Sequence, residues 1–270
     1  MPELPEVETT RRGIEPHIVG QQISKIDIHQ SSLRWPVPVK QVQSLCGQSV
    51  RGVRRRAKYL LIDTDKGHLI IHLGMSGSLR VVPAALPRKK HDHIDIILGS
   101  GDALRFHDPR RFGCVLFSEA PEQHKLMTTL GPEPLDGDFD GDYLWRQARK
   151  RRVAIKSFIM DAKIVVGVGN IYASEALFMA GIHPLTAASK VSKTRMRSLA
   201  KAIIKVLGNA IASGGTTLRD YYGSDGNPGY FAQQLSVYGR TGEPCKQCQK
   251  PVTQRVIGQR STFYCTDCQR

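Results

Sequence analysis

Two cysteine pairs close the chain. Cys245 and Cys248 are separated by two residues, as are Cys265 and Cys268, and sixteen residues lie between the pairs. A C-x2-C pair places two thiolates on one knuckle, and a second pair completes a tetrahedron around zinc. Sulfur fills all four positions, so no coordination site is left for a reacting water. The reading is one structural zinc per chain. A redox C-x-x-C belongs beside a βαβ pattern, which this sequence lacks. Cys46 and Cys114 stand apart and read as core residues.

The cysteine module is basic. Lys246, Lys250, Arg255, Arg260 and Arg270 face one acid, Asp267. The bias runs through the whole chain, with 39 Lys and Arg against 24 Asp and Glu and a formal charge of +15. A surplus of that size points to nucleic acid held through its phosphates. Three further clusters agree. Arg51, Arg54, Arg55, Arg56 and Lys58 share a strand-like segment, where alternation puts Arg54, Arg56 and Lys58 on one face. Arg88, Lys89, Lys90 and His91 form a Pro-flanked loop, and Arg149 to Arg152 end a helical stretch. Each cluster alone is an ordinary solvated face; together with the zinc hairpin they favour a phosphate-binding surface. His72, His91, His93 and His107 are scattered without metal-ligand spacing.

With 270 residues the chain has room for two domains. Residues 22–28, 68–73, 93–98 and 114–117 alternate with period two, with Gly, Asp and Pro between them, which reads as a β-sandwich or barrel. One helix precedes it, near residues 3–17, where Glu3, Glu6 and Glu8 suit the first turns. A linker-like stretch at 130–138 follows, and then helical spacing over 143–161, 170–180 and 192–213. Gly167-Val168-Gly169-Asn170 reads as a glycine turn opening a helix. No stretch approaches the roughly 18 apolar residues of a membrane span, and the first residues lack signal-peptide character. The expectation is a cytoplasmic protein with no membrane partner.

The start Pro2-Glu3-Leu4-Pro5-Glu6-Val7-Glu8 closely resembles the formamidopyrimidine-DNA glycosylases, bacterial enzymes that remove 8-oxoguanine and ring-opened purines. The likeness covers the whole chain. It continues through Arg55–Leu60, His72–Gly77, Asp108–Gly113, Gly167–Tyr172 and the cysteine module. It implies an α+β fold: an N-terminal β-sandwich with a leading helix over 1–130, a helical helix-two-turn-helix domain over 131–235, and a zinc finger over 236–270. A loop at about 216–230 would cap the extruded purine.

The resemblance also implies roles. Loss of Met1 exposes Pro2 as the amine that forms a Schiff base. Glu3 protonates the deoxyribose ring oxygen, supported by Glu6. Lys58 and Arg260 grip the phosphates beside the lesion and assist strand cleavage. His72, His91, Arg110, Arg151 and Asn170 contact DNA. Met75, Arg110 and Phe112 fill the space left by the extruded base. The implied activity is a glycosylase and abasic-site lyase acting as a monomer on double-stranded DNA with oxidised purines or abasic sites, ending in β,δ-elimination. Two rivals remain at this point. The endonuclease VIII type prefers oxidised pyrimidines but has a different start. A non-catalytic zinc-finger DNA-binding protein explains the charge and the cysteines but gives Pro2 and Glu3 no task.

Overall fold

The computed structural model describes residues 2–215 and 234–270. The lesion-capping loop expected at about 216–230 lies outside the described residues. Two compact units emerge among those described: 2–128 with 213–215, and 129–212 with 234–270.

In the first unit, α1 (Leu4–Ile18) begins at a reciprocal capping box. The Glu3 N–H donates to Glu6 Oε2 at 2.8 Å, and the Glu3 carboxylate accepts the Glu6 N–H. That satisfies two of the amide donors a helix start leaves over. Val7, Ile14 and Ile18 then face inward. The strands are β1 (Ile23–Ile28), β2 (Gly52–Arg56), β3 (Tyr59–Asp63), β4 (His68–His72), β5 (Ser78–Pro83), β6 (Asp92–Leu98), β7 (Asp102–His107) and β8 (Cys114–Ser118), with the short helix α2 (Val39–Gln43) after β1. They form two antiparallel four-stranded sheets, ordered β1-β6-β7-β5 and β2-β3-β4-β8. One core serves both: Ile26, Ile94 and Leu104 from the first sheet meet Leu60, Ile62, Leu69 and Ile71 from the second. Two separate sheets over a shared core make a sandwich.

The second unit carries α3 (Gly141–Ala148), α4 (Ile155–Ile159), α5 (Asn170–Met179), α6 (Lys193–Ala212) and the hairpin β9 (Thr253–Ile257) and β10 (Arg260–Tyr264). The helical reading of 143–161 meets α3 and α4 but is corrected between them. Helix ends at Ala148, and the backbone of 151–156 bonds instead to 184–189, with Ser189 N–H on Arg151 O at 2.9 Å and Ile155 N–H on Thr186 O at 2.7 Å. Those long-range bonds outcompete helical spacing. Phe178 of α5 packs with Val237, Val252 and Phe263 around Cys245 and Cys265. No helix among the described residues is long and apolar enough to cross a membrane.

Candidate active site and nucleic-acid interface

Pro2 and Glu3 are buried at the head of α1, Glu3 to 2% exposure. The capping box fixes the Glu3 backbone, and with it the direction in which Pro2 leaves the helix. Glu8, one turn further, accepts from Arg11, Arg12 and Arg55, the last at 3.2 Å. These cations hold its carboxyl below the usual range despite burial.

Arg55 leads to Lys58. Its guanidinium also donates to Ala57 O at 3.0 Å. Ala57 and Lys58 form the tight turn between β2 and β3, with Arg56 paired to Tyr59 across it and Ala57 at φ 54°. A buried alanine in that region of backbone space is a strained position held by its surroundings. The expected strand placing Arg54, Arg56 and Lys58 on one cationic face is therefore corrected: the strand stops at Arg56. Arg54 is taken by Asp63 at 2.6 Å and Glu122 at 2.8 Å, and Arg51 by Asp65. The reason is that these cations meet carboxylates distant in sequence, which removes them from any phosphate surface.

His72 ends β4. Its Nδ1 accepts the Gly74 N–H at 2.9 Å, and its ring lies 4.8 Å from that of Tyr59, next to Lys58. Burial, with help from the cations Lys58 and Arg34, pushes its pKa down to about 4. The imidazole is thus neutral at pH 7 and, with Nδ1 accepting, carries its proton on Nε2.

Two turns converge beyond it. Gly74 has φ 67°, and a Cβ there would lie 2.4 Å from Gly113 N. Only glycine permits that approach. Asp108, fully buried, ties the turns together by accepting from Ser76 Oγ at 3.0 Å and from Gly113 N at 2.7 Å. Met75 and Phe112 stand exposed on the joined turns, with the Arg110 guanidinium 5.0 Å above the Phe112 ring. They line a cavity of about 690 Å3 with His72, Arg34, Arg110 and Arg111. His91 reaches the second turn through its backbone, its carbonyl accepting the Asp108 N–H at 3.0 Å, and its ring packs edge-on against His93 and His107. Cys114 is buried, and burial pushes its thiol up to about 12. Cys46 is exposed in the turn after α2, so its reading as a core residue is corrected; the chain turns there before β2 and the thiol faces outward.

In the second unit the four expected cysteines meet, their sulfurs all within 4.8 Å of one another. Tetrahedral Zn–S bonds near 2.3 Å imply S–S edges of about 3.8 Å. The pairs Cys245–Cys268 at 3.9 Å and Cys248–Cys265 at 3.4 Å fit that frame. Zinc, when bound, clamps the knuckles and so fixes the hairpin. Arg260 is exposed just after the hairpin turn Gly258-Gln259, whose φ values of 55° and 61° match a type I′ turn.

Asn170 opens α5 after the glycine turn, as expected, but its side chain is engaged. Nδ2 donates to Ser261 O at 2.9 Å, and Oδ1 accepts from Lys156 Nζ at 2.6 Å. Lys156, 1% exposed, also reaches Thr262 Oγ1 at 2.7 Å and Ser261 O at 3.2 Å. The zinc hairpin is thereby locked to the glycine turn by a buried cation. Glu175 of α5 plays the matching role on the other side, accepting from the backbone N–H groups of Ser236, Val237 and Tyr238 at 2.8–2.9 Å. Arg151 is exposed and takes no part in this network. Sequence reading missed Lys156, Glu175, Asp108 and Arg34. A charged residue inside an apolar run, as in Ala154-Ile155-Lys156-Ser157-Phe158-Ile159, was the available signal for the first.

Three family models match along the chain. Residues 1–115 match the model for the formamidopyrimidine-DNA glycosylase N-terminal domain, 130–222 that for its H2TH domain, and 242–270 that for a zinc finger found in FPG and IleRS. A formamidopyrimidine-DNA glycosylase of Stutzerimonas stutzeri is 58% identical over 270 residues, covering all of both chains. Among solved structures, a Lactococcus lactis FPG mutant in complex with Fapy-dG-containing DNA is similar at TM-score 0.93 and 34% identity, covering all of both chains. The same organism's Fpg with DNA containing an abasic site matches at TM-score 0.92 and 35% identity over 99% of each.

Proposed function

The chain belongs to the formamidopyrimidine-DNA glycosylase family, and from that premise we propose how its own residues divide the work. The protein is a DNA glycosylase of base-excision repair acting on oxidised purines, with the abasic-site lyase activity typical of the family. It binds duplex DNA carrying such lesions or abasic sites as a single chain, in the cytoplasm.

Pro2, freed of Met1, is the nucleophile. An α-amino group has a pKa of about 7.7–8.0 against about 10.4 for lysine, so far more of it is unprotonated at pH 7. Its lone pair attacks C1′ of the damaged nucleotide. Glu3 delivers a proton to the ring oxygen as the C1′–O4′ bond opens, the C1′–N bond breaks, and the base leaves with that electron pair and the proton given up by the Pro2 nitrogen. What remains is an iminium joining Pro2 nitrogen to C1′. Loss of the C2′ proton expels the 3′ phosphate; a second elimination expels the 5′ phosphate. Lys58 and Arg260 hold the departing phosphates, and His72, His91, Arg110, Arg151 and Asn170 hold the rest of the backbone. Asn170 does so from its position on the glycine turn, since its amide also braces the hairpin.

Extruding a base costs a few kcal/mol of stacking, which a wedge must offset. Met75 and Phe112 provide it, and Arg110 offers hydrogen bonds to the orphaned partner. The division into a catalytic part at 1–130, a helix-two-turn-helix part at 131–235 and a zinc finger at 236–270 belongs to this proposal.

The observation that carries the reading is the burial of Pro2 and Glu3 behind the Glu3–Glu6 box, an arrangement a mere DNA binder would not need. The test compares duplexes carrying 8-oxoguanine opposite cytosine with duplexes carrying thymine glycol, with borohydride added to trap the iminium. Preferred cleavage of the purine lesion and a trapped adduct are expected. Preference for the pyrimidine lesion, or binding without any adduct, would overturn the assignment.

A further inference from the structure

Most arginines of the first unit are spoken for. Arg51, Arg54, Arg55 and Arg105 each pair with a carboxylate, and Arg11 and Arg12 share Glu8. Arg34 differs. Among the described residues its guanidinium pairs with no carboxylate, and it rests on the Trp35 ring at 4.7 Å. It sits at the tip of a small loop closed by the Ser32–Pro36 bridge and by the Val37 N–H on Ser31 O at 2.9 Å, with Leu33 buried beneath. The loop is pinned to the wedge turns, since the Arg34 N–H donates to Gly113 O at 3.1 Å. The side chain forms a wall of the 690 Å3 cavity together with Met75, Arg110, Arg111 and Phe112, and that lining contains no Asp or Glu.

We infer that Arg34, held on Trp35, is a further DNA-binding residue of this enzyme, receiving a phosphodiester at the mouth of the cavity that holds the wedge. An exposed guanidinium with no counter-ion is an incomplete arrangement. A phosphate completes it, and the planar fork suits bidentate contact with phosphate oxygens. Stacking on the indole limits the rotamers that binding would otherwise have to freeze. The pinning through Gly113 fixes the Arg34 backbone against the turn that carries Phe112, so a phosphate on Arg34 would be held beside the wedge.

The inference rests on the duplex-binding reading above, and the experiment separates the two. Full-length wild type, Arg34→Gln and Arg34→Lys are titrated with a duplex containing one reduced abasic site, at several salt concentrations. Wild type preferring this duplex over undamaged DNA supports the underlying reading; no preference would remove it, and this inference with it. Given that preference, Arg34→Gln should bind several-fold more weakly, with the slope of log K against log salt reduced by about 0.9, one phosphate contact. Arg34→Lys should keep most of the slope. Single-turnover cleavage of an 8-oxoguanine duplex at saturating enzyme should stay within about twofold of wild type, as expected for a uniform phosphate contact. Methylphosphonate replacement of one phosphate at a time then finds the contact: wild type loses affinity at one position to which Arg34→Gln is indifferent. A position on the lesion strand or on its complement tells which backbone Arg34 holds. An unchanged slope in Arg34→Gln, or a variant as sensitive as wild type to every neutralised phosphate, would overturn the inference.

Discussion

Lys156 Nζ lies 2.6 Å from Asn170 Oδ1, and the contact joins α4 to the first residue of α5 at a point where the lysine is 1% exposed. The same ammonium holds Thr262 and Ser261 of the hairpin that carries Arg260. One buried charge therefore sets the position of two proposed DNA contacts. Replacing it by methionine keeps the length and takes the ammonium away from Asn170 Oδ1 and Thr262 Oγ1, while Ser261 O keeps its bond from Asn170 Nδ2. Lys156→Met should lose about 3 kcal/mol of stability, the cost of breaking a buried charged network from one side. Urea unfolding measures it. DNA affinity should fall with it, whereas Lys150→Met, on an exposed position, should change stability little.

Asp108 joins the two wedge turns. Asp108→Ala would leave the Gly113 N–H and the Ser76 hydroxyl buried without their acceptor, at about 1–3 kcal/mol each. The larger effect should be on turnover. With Met75 and Phe112 no longer held together, kcat for lesion excision should drop by tenfold or more while cleavage of a preformed abasic site, which needs no base to be expelled, drops less. Single-turnover rates on the two substrates check this.

His72 gives the protein an acid sensitivity whose sign follows from its depressed pKa. The unfolded chain protonates this imidazole near 6.5, the folded one near 4. Between those values the unfolded state binds the extra proton, so stability is full above about pH 6.5 and is lost as pH falls toward 4. The contribution lost between pH 7 and pH 5 is roughly 2 kcal/mol. His72→Gln has no such proton to take up. Its unfolding free energy should fall less than that of wild type over the same interval, measured in urea at both pH values.

The zinc module should act on DNA through Arg260. Cys245→Ser should retain zinc less well and bind lesion DNA more weakly, because the knuckles are what hold the short β9–β10 ribbon in shape. Metal content and affinity are measured on the same sample; full affinity in zinc-free variant would contradict the coupling.

What could be read from the chain depended on how far apart the partners are. The cysteine module was legible because its spacing alone specifies the chemistry. The leading helix was legible too, its capping box lying within four residues, and the strands at 23–28, 68–72, 92–98 and 114–118 carried period-two patterns. Lys58 was misplaced because a two-residue turn with alanine at positive φ has no composition signal. The stripe of arginines before it failed because Asp63, Asp65 and Glu122 are brought in by the fold. Lys156, Glu175, Asp108 and Arg34 escaped for the same reason: each acts on backbone or side chains tens of residues away, and a single sequence does not show that it does.

The central claim is that the nitrogen of Pro2 becomes covalently joined to the damaged nucleotide. The direct measurement is borohydride trapping on 8-oxoguanine duplex with protein whose Pro2 is free, compared with protein whose Pro2 nitrogen is blocked by acetylation, followed by mass mapping of the adduct. The account predicts a cross-link on the N-terminal peptide of the free protein and none with the blocked form. An adduct mapping to a lysine, or blocked protein nicking oxidised duplex as fast as the free form, would contradict it.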